Sequence, residues 1–249
     1  MVASGSQIKD YTAATTPESD WYFVAQDPNE ATAADATKSI LISDLIAMAG
    51  HKNILINGGF TVNQRAYVSA AALASGSYGH DRWKAGSGGG DYSFTQLNSP
   101  TTITIAANKT LIQVVENKNV IGGTYTLSWT GTCQARYAIN SATPAGAYAA
   151  SPIIITGQTA GTTMSVEFGN GASSGTLGQV QLESGSVATE FEFRLRAAEL
   201  VLCQRYLIVF SSTSSAYTPF GFSGVCYSTT LARMFLSLPV EMRAAPTVT

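Results

Sequence analysis

The chain has 249 residues, a formal net charge of −2 and 12 % charged residues, about half the share usual in a soluble domain. Without a basic excess there is no field to gather DNA, RNA or an anionic membrane surface, so nucleic-acid binding is excluded as a first reading. No run approaches the ~18 consecutive apolar residues needed to cross a bilayer, which excludes membrane insertion through a helix.

Residues 1–50 differ in character from the rest. A polar run over 11–19 leads to an apolar patch, Trp21, Tyr22, Phe23 and Val24. A small-residue stretch over 31–36 runs into Ile40, Leu41 and Ile42, and Ser43 stands where it would cap a short helix over 44–49, stopped by Gly50. The segment is too short to bury its own aromatics. Trp21, Tyr22, Phe23, Val24, Leu41 and Leu45 are therefore the expected oligomerisation surface, packing against neighbouring copies.

From Asn53 the pattern turns to β. Tyr125, Leu127 and Trp129 alternate with threonines and serine, and Met164, Val166 and Phe168 alternate with Thr163, Ser165 and Glu167. Both runs have the two-residue period of a half-buried strand. Ile153, Ile154 and Ile155 read as a strand covered on both faces. Further strands are predicted over 92–97, 101–105, 111–115 and 179–183, separated by turn chemistry at Gly122-Gly123, 143–146 and Gly169-Asn170-Gly171. The glycine run 86–90 lacks the lysine and hydroxyl residue of a phosphate loop and reads as a flexible hairpin connection. Residues 197–206 contain neither Gly nor Pro and are predicted helical, with strand-like runs following at 207–210, 222–227 and 231–238. These last strands either join the first core or imply that the natural chain continues past Thr249. The predicted fold class is all-β: a jelly-roll β-sandwich over 51–196, a small N-terminal oligomerising segment over 1–50, and a short helix with further strands over 197–249.

Three cysteines, Cys133, Cys203 and Cys226, form an odd set without C-x-x-C spacing. They suit neither a disulfide framework nor a zinc site and read as buried thiols. Only two histidines are present, His51 and His80, and His80 and its neighbour Asp81 would point to opposite faces of a strand. No Gly-x-Ser-x-Gly or His-Glu-x-x-His motif appears, and no catalytic residues are assigned. A polysaccharide depolymerase would need two carboxylates ~5–10 Å apart in a groove, and no pair announces itself. Glu183, Glu190 and Glu192 read as outward-facing residues.

Sugar binding needs aromatic faces beside planar polar side chains. Trp129 and Tyr125 follow the core stripe. Trp83, next to Asp81 and Arg82, is the leading candidate, although Asp81-Arg82-Trp83 reads more readily as a structural corner in which the arginine pairs with a carboxylate. Tyr92 follows the glycine run, and Tyr137 and Tyr148 flank the loop 140–146, so each is a further glycan-binding candidate. Tyr217 and Phe220 in a later loop are similar.

Three stretches carry a resemblance to a known family. The first is Asn53-Ile54-Leu55-Ile56-Asn57-Gly58-Gly59-Phe60 with Asn63-Gln64-Arg65 and Tyr78-Gly79-His80-Asp81-Arg82-Trp83. The second runs from Gly178 through Gln181, Glu183 and Thr189 to Arg194. The third is Leu202-Cys203-Gln204-Arg205-Tyr206 with Met242-Arg243-Ala244-Ala245-Pro246. Over 53–249 they resemble the C-terminal region of bacteriophage tail fibre and receptor-binding proteins. Residues 8–46 are more loosely similar to a motif of trimeric fibre stalks. The resemblance implies a virion protein of the tail fibre, a homotrimer, with other virion tail proteins and a bacterial surface polysaccharide or lipopolysaccharide as partners. The lack of a basic-then-apolar leader in residues 1–6 fits release by lysis. A structural connector or baseplate-associated protein without glycan binding is the alternative. The 53–60 opening and the 179–183 strand also look like the ends of carbohydrate-binding-module jelly rolls. Such modules often hold structural calcium on acidic residues near the chain ends. Gly59 and Gln179 stand there in this chain, so the resemblance leaves a structural calcium possible but unsupported, and no cofactor or metal ligand is assigned.

Overall fold

The structure, a computed structural model, describes residues 22–26, 37–41, 52–97, 99–210, 224–234 and 237–247. The chain divides into two compact units, 1–52 and 53–249. Within the first, strands β1 (Tyr22–Gln26) and β2 (Thr37–Leu41) pair antiparallel, with Tyr22 opposite Leu41. Trp21, Leu45, His51 and the expected 44–49 helix lie outside the described residues, as do the side chains of Tyr22, Phe23, Val24 and Leu41. Tyr217, Phe220 and the Cys226 side chain lie outside them too.

The second unit is an antiparallel β-sandwich of jelly-roll type. Its strands are β3 (Lys84–Ala85), β4 (Tyr92–Ser93), β5 (Ile103–Ile105), β6 (Thr110–Val115), β7 (Gly123–Thr130), β8 (Gln134–Ala138), β9 (Ala145–Ala149), β10 (Ile153–Gln158), β11 (Met164–Gly169) and β12 (Gly175–Ser184). One sheet has the order β10-β7-β12-β5-β4 and the other β3-β6-β11-β8-β9. The two inner faces meet in a single apolar core. Tyr125, Leu127 and Trp129 come from the first sheet; Leu111, Val166 and Phe168 come from the second. Trp129 meets Phe168 edge-on at 5.2 Å between centroids, joining the layers by the geometry aromatic pairs prefer. In β12 the inward residues Leu177 and Val180 are three apart rather than two. A bulge between Gly178 and Gln181, with Gln179 at φ 48°, restores the period so that Val180 and Leu182 still face inward.

Helix α1 (Arg196–Gln204) follows the sandwich, and β13 (Gly224–Ser228) pairs with β14 (Leu231–Met234) in a separate ribbon. Residues 207–210 do not form the expected strand.

Four expectations about exposure are corrected. Ile154 is 53 % exposed, because β10 is an edge strand with a bare outer face. β11 is buried along its whole length, since it lies in the middle of its sheet and the Glu167 carboxylate is capped by Arg136 at 2.5 Å. Glu183 is buried: it accepts hydrogen bonds from the Thr189 backbone N–H at 2.9 Å and the Thr189 hydroxyl at 2.6 Å. Glu192, read as outward-facing, accepts from the Asn53 N–H at 2.7 Å and from Arg194. The glycine run is likewise a tight packed turn, in which a Cβ on Gly86 would stand 1.9 Å from Thr110 Oγ1.

The segment 53–60 forms no strand of its own; it runs along β12. Asn53 donates through Nδ2 to the Val180 carbonyl and accepts from the Leu182 N–H through Oδ1. Gly58 is required here because a Cβ would fall 2.1 Å from the Val180 carbonyl oxygen. Asn57, fully buried at φ 60°, is the hub. Its Oδ1 accepts from the N–H groups of Thr61 and Val62, and its Nδ2 donates to the carbonyls of Val62 and Asp81. Its own N–H donates to Glu199 of α1, and its carbonyl accepts from Trp83 Nε1. Replacing Asn57 with alanine strips four side-chain bonds, three of them to buried partners, and puts a residue less tolerant of positive φ than asparagine at φ 60°. The expected loss is roughly 3 kcal/mol of stability, read as a lower urea midpoint with an unchanged slope.

Candidate functional site

The turn 80–83 sorts its residues by burial. Trp83 is 0 % exposed, stacked on Phe60 at 5.0 Å and hydrogen-bonded to Asn57. Asp81 is buried, and its two oxygens accept from the Gln64 N–H at 2.6 Å and from Gln64 Nε2 at 2.8 Å. With both flanks anchored, Arg82 is held at φ 71°, a backbone region that costs of order 1 kcal/mol for a residue with a Cβ. The sequence-level corner is therefore real. Its arginine, however, stacks on an aromatic ring instead of pairing with a carboxylate: the guanidinium carbon lies 3.6 Å from the centroid of Tyr206.

Arg82 opens into a pocket of about 550 Å³ formed by this turn, the end of β6, the C-terminal end of α1 and residues 242–247. Four of the chain's eight arginines line it, Arg65, Arg82, Arg205 and Arg243, against two carboxylates, Asp81 and Glu116. Arg205 grips Glu116 with two bonds, Nη2 to Oε1 at 2.8 Å and Nε to Oε2 at 3.1 Å, and the Tyr206 hydroxyl donates to the same carboxylate at 2.8 Å. The Arg243 N–H donates to the Arg205 carbonyl at 2.9 Å, which brings 242–247 to the helix end. Arg65 lies 5.0 Å from the Tyr78 ring centroid and 4.0 Å from Asp81, and Tyr78 is 39 % exposed.

Two groups here are shifted away from the protonation states that proton transfer or nucleophilic attack would use. Hydrogen bonding from Arg205 holds the Glu116 carboxyl below its usual range, whereas a general acid needs the opposite shift. Burial, reinforced by Asp81 and Glu199, pushes the Cys203 thiol far up, so it stays protonated. Burial is also the main influence on Arg82, lowering it from the ordinary arginine value, and Arg243 acts in the same direction; the group remains cationic at neutral pH.

Of the other expected site residues, Tyr92 is 1 % exposed in the core, its hydroxyl accepting from the His80 N–H at 2.7 Å. Trp83 and Tyr92 therefore offer no face to a ligand. Asp81 touches the pocket but has no oxygen to spare. Tyr137 packs against the sandwich core from β8, and Tyr148 on β9 lies beside Arg136, whose guanidinium is 5.0 Å from its ring; neither lines the pocket. Of the expected glycan-binding residues, Arg82 and Asp81 line the pocket among the described residues. Sequence reasoning about binding overlooked Arg65, Tyr78, Arg205, Tyr206 and Arg243, yet all five sit in the stretches that carry the family resemblance. Cys133 and Cys203 are buried and unbridged. Among the described residues no group of three His, Cys, Asp or Glu is arranged to hold a metal.

No family model matches the chain, and no curated protein matches it. Among solved structures it is similar to TmCBM61, a carbohydrate-binding module determined in complex with β-1,4-galactotriose. The identity is 13 % and the TM-score 0.32, over 53 % of this chain and 98 % of that one.

The Glu116 clamp sets a pH dependence. Its folded-state pKa is depressed, so its contribution to stability is present above the unfolded value of about 4.5 and is lost as pH falls through the folded value. The stability difference between the wild type and Glu116→Gln is expected to be full near neutral pH and to shrink steadily on acidification below that value, as measured by urea unfolding.

Proposed function

We propose that this chain is the host-recognition part of a bacteriophage tail fibre, a non-catalytic sandwich that docks on a bacterial surface polysaccharide or lipopolysaccharide. One observation carries the reading. Two of the three stretches that resemble tail fibre and receptor-binding proteins are far apart in sequence, yet supply Arg65, Tyr78, Arg82, Arg205, Tyr206 and Arg243 to one pocket. Planar guanidinium donors beside phenol rings suit a ligand with hydroxyls on its edges and C–H groups on its faces. The two pocket carboxylates are both engaged, Asp81 by Gln64 and Glu116 by Arg205 and Tyr206, which disfavours glycoside hydrolysis.

The expected assembly is a homotrimer on the virion, contacting other tail proteins through the N-terminal unit. Linked sites raise apparent affinity by roughly 10²–10⁴ without new contacts, so a weak single pocket suffices. Light scattering is expected to give three times the chain mass; a monomer at micromolar concentration counts against the trimer.

Fluorescently labelled protein should coat host cells, and periodate oxidation of the cell surface should abolish the coating. Tyr78→Ala should weaken it about tenfold, the scale of losing one aromatic contact. Coating that survives periodate sinks the glycan reading. Binding confined to virion proteins favours a connector, and new reducing ends in treated polysaccharide favour a depolymerase.

A further inference from the structure

The pocket's charges are unevenly committed. Arg205 is engaged by Glu116 through two bonds and by the Glu241 carbonyl at 3.2 Å, and Arg65 leans on Asp81. Arg82 and Arg243 differ: among the described residues neither is ion-paired with a carboxylate. The Nη2 of Arg82 donates to the Val114 carbonyl, while its Nε is buried with no hydrogen-bond partner at all. The donor left for a ligand is therefore Nη1, which has no hydrogen-bond partner among the described residues and is not among the buried unsatisfied atoms. Four arginines against two engaged carboxylates leave the pocket with a positive excess, in a chain whose net charge is negative. The Tyr206 ring under its guanidinium carbon and the Val114 carbonyl hold the Arg82 side chain, and the Asp81 and Trp83 anchors hold its backbone, so the group is positioned before any ligand arrives.

We propose that this pocket selects an acidic sugar, whose carboxylate or phosphate is received by Arg82 and Arg243 together. A planar guanidinium fork matches the paired oxygens of either group, and charge-assisted bonds of this kind are about twice as strong as neutral ones. The proposal rests on the glycan-binding reading above and specifies its ligand class: a uronic-acid-type or phosphorylated residue of the surface polymer, not a neutral one.

The test is calorimetric titration of the full 249-residue protein. The probes are a galacturonate trisaccharide, its carboxyl-reduced neutral counterpart, glucose 6-phosphate and inorganic phosphate. The variants are Arg243→Gln and Arg82→Asn, the latter chosen because asparagine tolerates positive φ. An acidic probe is expected to bind at least about tenfold tighter than the neutral one, with the advantage reduced about tenfold in each variant. The ratio between galacturonate and glucose 6-phosphate assigns the anion as carboxylate or phosphate. If the neutral sugar binds as well as both acidic ones, or if acidic binding is unchanged in both variants, the proposal is overturned while glycan binding stands. If phosphate binds through Arg82 and Arg243 but no sugar does, the anion site stands and the glycan reading falls. If no probe binds, both fall. Should Arg82→Asn fail to fold, Arg243→Gln alone decides.

Discussion

The molecule depends on the satisfaction of one buried amide. Asn57 has no exposed surface, and every polar atom it owns is used: by the 61–62 turn, by the Asp81 carbonyl, by Trp83 and by Glu199. Such a fully satisfied network rigidifies a core, whereas a half-satisfied one destabilises it. Through it the opening segment, the 80–83 corner and α1 are held to one another although they lie up to 142 residues apart in sequence. The presentation of Arg82 follows from this, because its neighbours on both sides are locked inward.

Among the described residues, most of the carboxylates are engaged in internal ties. Glu183 serves Thr189, Glu192 and Glu199 meet Arg194, and Glu167 meets Arg136. Arg194 also donates to the carbonyls of Leu55 and Asn53, closing the sandwich across the start of its chain and the approach to the helix. Burying such groups is tolerable because each is paired; removing one partner leaves the other stranded and costs far more than the pair is worth. Against this background, Arg82 and Arg243 stand in a single pocket without carboxylate partners among the described residues.

The strands were legible where the two-residue period was clean. Tyr125, Leu127 and Trp129 face the core as their alternation predicts, and the helix was visible from its lack of Gly and Pro. β8 and β9 escaped notice because QARYA and AGAYA are rich in alanine and glycine; they become strands by pairing with β11 and with each other. Glu183 and Glu192 looked solvent-facing because a lone carboxylate gives no hint of the Thr189 hydroxyl or Arg194 that will meet it. Of the expected binding residues, Arg82 lines the pocket, whereas Trp83 and Tyr92 are core, since an aromatic next to polar residues reads alike in either role.

The amino-acid sequence by itself determined the class of fold, through alternation and turn chemistry, and, through composition, the lack of a basic excess and of an apolar run long enough for a membrane-crossing helix. These are local or additive properties, readable without knowing which residues meet. Only the tertiary structure decided which aromatics are hidden, which carboxylates are spoken for, and that Arg65, Arg82, Arg205 and Arg243 converge. Convergence arises from strand order and from long-range hydrogen bonds such as that between Asn57 and Glu199, and no spacing along the chain encodes a contact between residues that distant.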